Sequence, residues 1–316
     1  MKYAIISDIH GNLSALNAVL SDAEKRNVDG YILVGDYCLS NPYPNECISR
    51  IRELKNAYVI RGNEERYLEN LIGKDQSAWT DGQMQISYFC YREVSEENLD
   101  YLLGLPTCLD IVLEDMPIHI AHSSESFINK CECKEWGTAK VAVRYGEEKV
   151  TKERFSREMR SYLDSDTEFQ QIVNDMSEGI YIFGHTHIQW SYKSKDGKKV
   201  FINPGSCGLP LDCVQEGVPY TVLDLNSKEN WQMEEVRVPF NMKFHIEELK
   251  RSKQFAEARV WSNVITKELQ ACREHLTFFL EFVEAYATKV GDNRRPYAVE
   301  TWEKAYEAWE KECNKI

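Results

Sequence analysis

Five short hydrophobic segments, each followed directly by residues that can bind a metal, constrain this chain more than any other feature. They are residues 3–7, 31–34, 58–60, 117–121 and 180–183. Short runs of β-branched and aromatic residues are typical of strands buried in a covered sheet. Because open α/β sheets bind ligands at the carboxyl ends of their strands, the polar residues after these segments are predicted to meet at one edge.

Seven side chains in these positions are candidate metal ligands: Asp8, His10, Asp36, Asn63, His122, His185 and His187. Residues two apart in an extended segment point the same way, so Asp8 and His10 are predicted to share an ion. By the same spacing, His185 and His187 can share one. Carboxylate, amide and imidazole ligands together favour Mn, Fe, Zn or Ni over ions that prefer thiolates. Asp36 is predicted to bridge two ions.

In their order along the chain, Asp-Ile-His-Gly-Asn, Gly-Asp, Gly-Asn-Glu-Glu and Gly-His-Thr-His resemble the motifs of calcineurin-like metallophosphoesterases. The resemblance covers roughly residues 1–224. It implies an α/β fold with four α-β-β-α layers, in which two sheets lie between helices, and a hydroxide held between two divalent transition-metal ions. It implies one ion held by Asp8, His10, Asp36 and His187. It implies a second ion held by Asp36, Asn63, His122 and His185.

The predicted function is hydrolysis of a phosphodiester or phosphomonoester of a small molecule, by attack of the metal-held hydroxide on phosphorus. Asn63 is expected to stabilise the charge that develops on the phosphoryl oxygens. One alternative is a non-catalytic interaction scaffold with this fold, as in a subunit of the retromer coat, although a scaffold does not require so many converging ligands. A second alternative is a protein Ser/Thr phosphatase, which the Tyr-Cys-Leu-Ser sequence after Asp36 disfavours.

Two positions depart from the family pattern. Many members have a histidine after Gly-Asn that protonates the leaving oxygen, whereas this chain has Glu64. Neighbouring cations are expected to lower the pKa of Glu64, and an ionised acid donates no proton, so weaker catalysis with poor leaving groups is predicted. Leu211 stands where relatives often have an arginine. Arg61 and Arg66 are therefore candidates for binding the substrate phosphate.

The chain is predicted to contain a catalytic region at residues 1–242 and a helical extension at 243–316. Helical patterns after the first three strands predict a largely parallel βαβ arrangement, with antiparallel strands added later. An insertion is expected at about 123–179. Its basic middle, residues 134–160, is either a lid that brings cations to the substrate or a solvated helix of mixed charge.

The C-terminal region has apolar residues at helical spacing. Residues 255–290 have the length and composition of one long helix, and a second helix with an aromatic face follows Gly291. The default expectation is a helical hairpin that packs on the core. The alternatives are a homodimer formed through these helices and a wall that selects substrate.

Composition limits the partners and the location. The formal net charge of −13 argues against duplex nucleic acid, because binding to its backbone needs a basic surface. No segment has the ~20 consecutive apolar residues that span a membrane, and Met1 and Lys2 lead directly into the first predicted strand, so no cleavable signal is expected. The ten cysteines have no regular spacing, as expected of reduced thiols. A cytoplasmic protein without a membrane partner is predicted.

Overall fold

The computed structural model describes residues 1–123, 134–227 and 231–313, and two five-stranded sheets form its centre. The strands in chain order are β1 (Lys2–Ile6), β2 (Gly30–Leu33), β3 (Ala57–Val59), β4 (Cys108–Leu113), β5 (Met116–Ala121), β6 (Gly179–Ile182), β7 (Gln189–Lys193), β8 (Lys199–Pro204), β9 (Val218–Leu225) and β10 (Trp231–Val238). One sheet has the order β10-β9-β1-β2-β3, and the other has the order β4-β5-β6-β8-β7. All five segments that the sequence assigned to strands are strands.

The first sheet combines parallel and antiparallel pairs. Strand β1 pairs in parallel with β2, and β2 pairs in parallel with β3. Strand β9 is antiparallel to both of its neighbours, β1 and β10. Residues on alternate positions of β1 face opposite sides, which explains why Ile5 lies in the core between the two sheets while Ile6 faces the outer helices. Ile118 and Ile180 of the second sheet share the core with Ile5. The predicted mixed double sheet is therefore confirmed.

Helices cover the outer faces of both sheets. The helices in chain order are α1 (Leu13–Lys25), α2 (Pro44–Arg52), α3 (Glu65–Glu69), α4 (Gln85–Glu93), α5 (Glu96–Gly104), α6 (Thr138–Tyr145), α7 (Lys152–Ser165), α8 (Thr167–Asp175), α9 (Met242–Arg251), α10 (Lys253–Glu257), α11 (Arg259–Ala271), α12 (Leu276–Val290) and α13 (Val299–Cys313), and the last two pack on α11 and on each other. Leu16 of α1 joins a core with Ile6 and Leu33. Phe155 of α7 joins a core with Phe201 on the opposite side. The four-layer arrangement is thus as predicted. None of these helices is both long and apolar enough to cross a lipid bilayer.

The loops between strands and helices place the predicted ligands at one edge. Strands β1, β2 and β3 are each followed by a loop and then by a helix, α1, α2 and α3. Asn12 begins α1 by accepting a hydrogen bond from the backbone N–H of Ala15 at 3.1 Å. Pro44 occupies the first turn of α2, where a missing N–H costs nothing. Since the three strands are parallel, their loops lie side by side.

The insertion between β5 and β6 contributes α6, α7 and α8, which pack over the second sheet. Lys152 Nζ lies 2.5 Å from a carboxylate oxygen of Glu235 on β10. Arg154 pairs with Glu148 at 2.7 Å and with Glu158 at 2.9 Å. Lys152 and Arg154 therefore form ion pairs with glutamates of the same protein. These pairs favour the interpretation of α7 as a helix of mixed charge. The part of the insertion at residues 124–133 lies outside the described residues.

The expectation of one long helix over residues 255–290 is wrong. Helix α11 ends at Cys272, which has a left-handed backbone with φ of 49°, and α12 begins at Leu276. The Glu268 carboxylate accepts the backbone N–H groups of His275 and Leu276, both at 2.8 Å. These bonds satisfy donors that the start of a helix leaves unpaired, so they stabilise a break that helical periodicity does not reveal.

The aromatic face of α13 is buried inside the chain. The ring of Trp302 lies 4.8 Å from that of Phe279 in α12, and the ring of Trp309 lies 5.2 Å from it. Trp302 is fully buried. The predicted helical hairpin is present, whereas a homodimer and the division of the chain at residue 242 stay predictions.

One buried histidine links α9 to the loop that follows β2. His245 is fully buried, and its Nε2 donates to Oδ1 of Asn41 at 2.8 Å. Burial lowers the pKa of His245 from 6.5 to about 4. The imidazole is therefore neutral in the folded protein between these values, while the unfolded chain binds a proton there.

We expect this histidine to destabilise the fold as pH falls from 6.5 toward 4. The loss should approach about 1.4 kcal/mol per pH unit, since the unfolded state binds one more proton. Replacing it in His245→Gln should give a shallower decline, measured as the free energy of unfolding in urea at several pH values. Gln215→Ala, which alters an exposed residue without a titratable group, is the control and should keep the wild-type slope. Parallel curves for wild type and His245→Gln would contradict the assignment.

Candidate metal centre

The structure brings all seven predicted ligand side chains to one edge of the sheets. Asp8 and His10 follow β1, Asp36 follows β2, and Asn63 follows β3. His122 directly follows β5, and His185 and His187 follow β6. Parallel pairing of these strands within each sheet directs their carboxyl ends the same way, which is why residues distant in sequence meet here.

Asp8, His10 and His187 form one group that could hold a metal ion. The Nε2 atoms of His10 and His187 are 3.0 Å apart. Asp8 Oδ1 lies 3.4 Å from Nε2 of His187 and 3.8 Å from Nε2 of His10. The other oxygen, Oδ2, accepts the backbone N–H of His185 at 3.1 Å, which leaves Oδ1 directed at the two imidazoles.

Asp36, His122 and His185 form a second such group. Asp36 Oδ2 lies 3.1 Å from Nε2 of His122, and the rings of His122 and His185 are 5.2 Å apart. Asp36 also belongs to a third group with His10 and Glu64, so its carboxylate is within reach of both ion positions. This placement supports the bridging role that the sequence predicts for Asp36.

The structure places His185 and His187 in different groups, contrary to the argument from extended spacing. Neither residue is extended, because φ is 66° at His185 and 56° at His187. Asp8 and His10, with φ of 52° and 51°, have the same left-handed conformation. In this conformation the alternation of a strand no longer sets where side chains point. The grouping agrees with the assignment that the family resemblance implies.

Three imidazoles are held with one nitrogen facing the candidate ion positions. Nδ1 of His122 donates to the carbonyl of Val34 at 2.6 Å, and Nδ1 of His187 donates to the carbonyl of Leu209 at 2.9 Å. Nδ1 of His10 donates to the Glu64 carboxylate at 2.9 Å. Such bonds fix the tautomer and leave Nε2 as the metal-binding nitrogen.

Unpaired buried atoms indicate that a cation fits this site. Asp8 Oδ1, Asn63 Oδ1 and His122 Nε2 are buried and have no hydrogen-bond partner among the described residues. Buried polar atoms are normally paired, and these three belong to predicted ligands. Oxygen and imidazole nitrogen are ligands that divalent transition metals accept. An ion in each group would therefore satisfy atoms that the protein leaves unpaired.

The histidines balance the buried carboxylates electrostatically. Burial alone would raise the pKa of Asp8, but the adjacent imidazole of His187 lowers it well below its usual range. For His122, burial favours the neutral form, yet the nearby negative charge of Asp36 raises its pKa from 6.5 to about 10. Imidazole binds a metal only when neutral, so an ion must displace the proton of His122.

The Glu64 side chain is hydrogen-bonded to His10. Its carboxylate accepts Nδ1–H of His10, and its backbone N–H donates to Asp36 Oδ1 at 2.9 Å. Burial and the Asp36 charge raise the pKa of Glu64 well above its usual range. The protein by itself therefore shifts this group in the direction opposite to that expected from neighbouring cations. Its hydrogen bond identifies Glu64 as a group that orients a candidate ligand.

Glu65 was not predicted, yet it connects two of the ligand loops. This fully buried carboxylate accepts the backbone N–H groups of Gly62 at 2.7 Å, Tyr37 at 2.8 Å and Asp36 at 3.3 Å. It ties the loop after β2 to the loop after β3. Glu65 is the second glutamate of Gly-Asn-Glu-Glu, and its place in that motif was the only sequence signal for its role. Its hydrogen bond to the Asp36 backbone spans 29 residues, and a contact so distant in sequence leaves no local pattern.

The structure does not bring the predicted phosphate-binding arginines to the site. Arg61 pairs with Glu69 of α3 at 3.2 Å and does not line the cavity beside the candidate ligands. Arg66 is exposed on α3. Glu69 lies eight residues after Arg61, and helix α3 brings the two side chains together on the surface. Leu211 lines the cavity as an apolar residue.

The two-sheet sandwich carries candidate metal ligands at the carboxyl edge of its strands, and sequence comparison identifies the family. The calcineurin-like phosphoesterase superfamily domain matches residues 1–228, so the chain belongs to this superfamily. An uncharacterised protein of Methanocaldococcus jannaschii, MJ0912, is 27% identical over 267 residues, which cover 79% of this chain and 92% of that protein.

Solved structures share the fold. The metallophosphoesterase from Sphaerobacter thermophilus has a TM-score of 0.58 and 20% identity, covering 86% of this chain and 99% of that chain. The hypothetical protein PH1004 from Pyrococcus horikoshii OT3 has a TM-score of 0.57 and 15% identity, covering 84% and 97% of the respective chains. At these identities the likeness concerns the fold, and it extends beyond the residues that the family domain matches.

A methyl group at Gly62 should weaken metal binding. An added Cβ would lie 2.1 Å from Asp36 Oδ1 and 2.7 Å from the Asp36 backbone nitrogen, so the carboxylate must move. We expect Gly62→Ala to lower metal affinity roughly tenfold or more, as for changes that misplace a ligand. Titration of the metal-free protein with Mn²⁺ measures this. Gly104→Ala, where an added Cβ meets nothing within 4 Å, is the matched control. Equal affinities in both variants would contradict the argument.

Removing the Glu64 carboxylate should also weaken metal binding, because Nδ1 of His10 would lose its acceptor. We expect roughly 10- to 100-fold lower affinity in Glu64→Ala and a smaller effect in Glu64→Gln, whose amide oxygen still accepts. The surface variant Glu69→Ala serves as control. Unchanged affinity of Glu64→Ala, together with activity lost only on esters with poor leaving groups, would instead favour a role as proton donor.

Proposed function

We propose that this protein is a phosphoester hydrolase that uses two divalent transition-metal ions. The observation that carries the proposal is the arrangement of His10, His122 and His187. Each uses Nδ1 in a hydrogen bond to the protein and turns Nε2 toward the buried carboxylate of Asp8 or Asp36. Membership of the calcineurin-like phosphoesterase superfamily supports the same chemistry.

The ligand roles follow from the two groups. Asp8, His10 and His187 would hold one ion, and Asp36 would contribute to both. Asn63, His122 and His185 would complete the second. When bound, two such ions lower the pKa of water to supply a nucleophile and offset the negative charge of the phosphoryl group. Mn, Fe, Zn and Ni suit this mixture of nitrogen and oxygen ligands.

The protein groups around the ions would position the ligands and the substrate. Glu64 keeps His10 oriented, and Glu65 holds the loops that carry Asp36 and Asn63. Preorganised groups of this kind stabilise developing charge without having to rearrange during the reaction. Asn63 lines the cavity and is suited to contact a phosphoryl oxygen.

The size of the cavity supports a small substrate. It has a volume of about 470 Å³, which is in the usual range for small-molecule sites. Phosphodiesters and phosphomonoesters both remain within the proposal. A cytoplasmic location is part of the same proposal, supported by the seven cysteines with described side chains, which are all free thiols.

The deciding experiment assays the metal-stripped protein on p-nitrophenyl phosphate and bis-p-nitrophenyl phosphate. Mn, Ni, Fe, Zn and Mg are added back separately. We expect turnover that depends on the metal, and the ratio of the two rates gives the ester preference. Metal binding without turnover of either ester would instead favour the alternative function, an interaction scaffold.

Asp36→Asn should reduce this turnover roughly 100-fold or more, because it removes charge from the proposed bridge while keeping the shape. The measurement uses protein whose metal content has been determined. Asp110→Asn, on the exposed side of β4, is the control and should keep wild-type activity. Full activity in metal-loaded Asp36→Asn would disprove the bridging role.

A further inference from the structure

The C-terminal helices form one wall of the cavity beside the candidate ligands. His10, Asp36 and Asn63 line part of it, and residues of α11 and α12 line another part. The family domain ends at residue 228, so this wall comes from a region beyond it. A phosphoryl group at the metal centre would therefore have its organic group next to α11 and α12.

Much of this wall is apolar. Trp261 and Ile265 of α11 line the cavity together with Leu280 of α12. Met84 and Leu211 extend the apolar surface from other parts of the chain. Transfer of an apolar group from water to such a surface is favourable. The wall consequently suits a hydrocarbon or aromatic group better than a heavily hydroxylated one.

Two glutamates set the charge of the same wall. Glu268 and Glu274 line the cavity and are 1% and 6% exposed, respectively. Glu274 accepts the hydroxyl of Thr138 at 2.6 Å and the backbone N–H of Thr277 at 2.8 Å. Burial, together with the charge of Glu274, raises the pKa of Glu268 well above its usual range.

Lysine and arginine side chains do not offset these carboxylates in the part of the lining that the structure describes. No lysine or arginine is among the described residues around the cavity. Arg273, next to Glu274 in sequence, directs its guanidinium to Glu147 at 3.1 Å. Two acidic side chains in this lining, without a lysine or arginine among its described residues, favour a positively charged ligand group and repel a second anionic group.

We propose, on the basis of the function proposed above, that this cavity binds the organic group of the substrate. It selects a phosphoester whose apolar group carries an ammonium, and it discriminates against one that carries a second anion. Apolar contacts come from Trp261, Ile265 and Leu280, and the charge preference comes from Glu274 with Glu268. The C-terminal helices thus determine specificity at a metal centre formed by the sheets.

Binding of non-hydrolysable phosphonates to Mn²⁺-loaded protein tests the proposal independently of turnover. The probes are methylphosphonate, phenylphosphonate, 4-(aminomethyl)phenylphosphonate and 4-(carboxymethyl)phenylphosphonate. Isothermal titration calorimetry should show phenylphosphonate binding roughly tenfold more tightly than methylphosphonate, as expected for burying an aromatic ring. The aminomethyl probe should bind at least roughly tenfold more tightly than its carboxymethyl counterpart, because the two differ in the sign of the distal charge.

Two variants assign the preferences to the wall. Glu274→Gln keeps an oxygen that can accept the backbone N–H of Thr277, and its amide N–H can donate to the hydroxyl of Thr138. This variant should lose most of the preference for the aminomethyl probe. Leu280→Ala should reduce the preference for phenyl over methyl. Glu281→Gln, on the exposed face of α12, is the matched control and should retain both preferences.

The outcomes separate this inference from the proposed function. Turnover of p-nitrophenyl esters combined with equal affinity for the aminomethyl and carboxymethyl probes would overturn the charge selection and leave the function standing. Charge discrimination in a protein that hydrolyses neither ester would support the cavity assignment and count against the function. Failure of the metal-loaded protein to bind any of the phosphonates would overturn the inference.

Discussion

Backbone hydrogen bonds between loops, continuing beyond the ends of the strands, are the interaction on which the rest of the structure depends. The N–H groups of Asp8 and His10 donate to the carbonyls of Gly35 and Asp36 at 3.1 and 3.0 Å, so the loop after β1 runs along the loop after β2. The N–H of Gly208 donates to the carbonyl of Asp8 at 3.0 Å and joins a third loop. Ligand side chains are therefore attached to backbone that is nearly as constrained as the sheet itself.

This constraint allows the centre to use backbone conformations that isolated residues avoid. Asp8, His10, Asp36, His185 and His187 all have positive φ. A non-glycine residue in this region is uncommon and costs on the order of 1 kcal/mol or more, so it persists where the surroundings determine it. Five such residues at one edge show that packing of the sheets and loops stabilises the geometry of the centre.

The C-terminal helices add a wall to this rigid edge. The Glu268 carboxylate caps the start of α12 and also faces the cavity, so the turn that separates α11 from α12 shapes the proposed site. Contacts of Trp302 and Trp309 with Phe279 hold α12 against α13. Since loops and appended elements vary more readily than a sheet core, a constant centre combined with a separate wall is a physical route to substrate selectivity.

The strands and the seven candidate ligands could be predicted from the sequence because hydrophobic runs and the residues directly after them are local patterns, and the four layers were implied by the family resemblance. The family resemblance implied how the ligands divide, whereas spacing alone could not, since His185 and His187 leave the extended conformation that the spacing assumed. Only the tertiary structure decided that Glu64 contacts His10 across 54 residues and that Arg61 pairs with Glu69. The break at Cys272 has the same origin, because the Glu268 contacts that stabilise it compete with a continuous helix. Hydrophobic periodicity carries no information about such contacts, which depend on which backbone groups and charges the fold brings together.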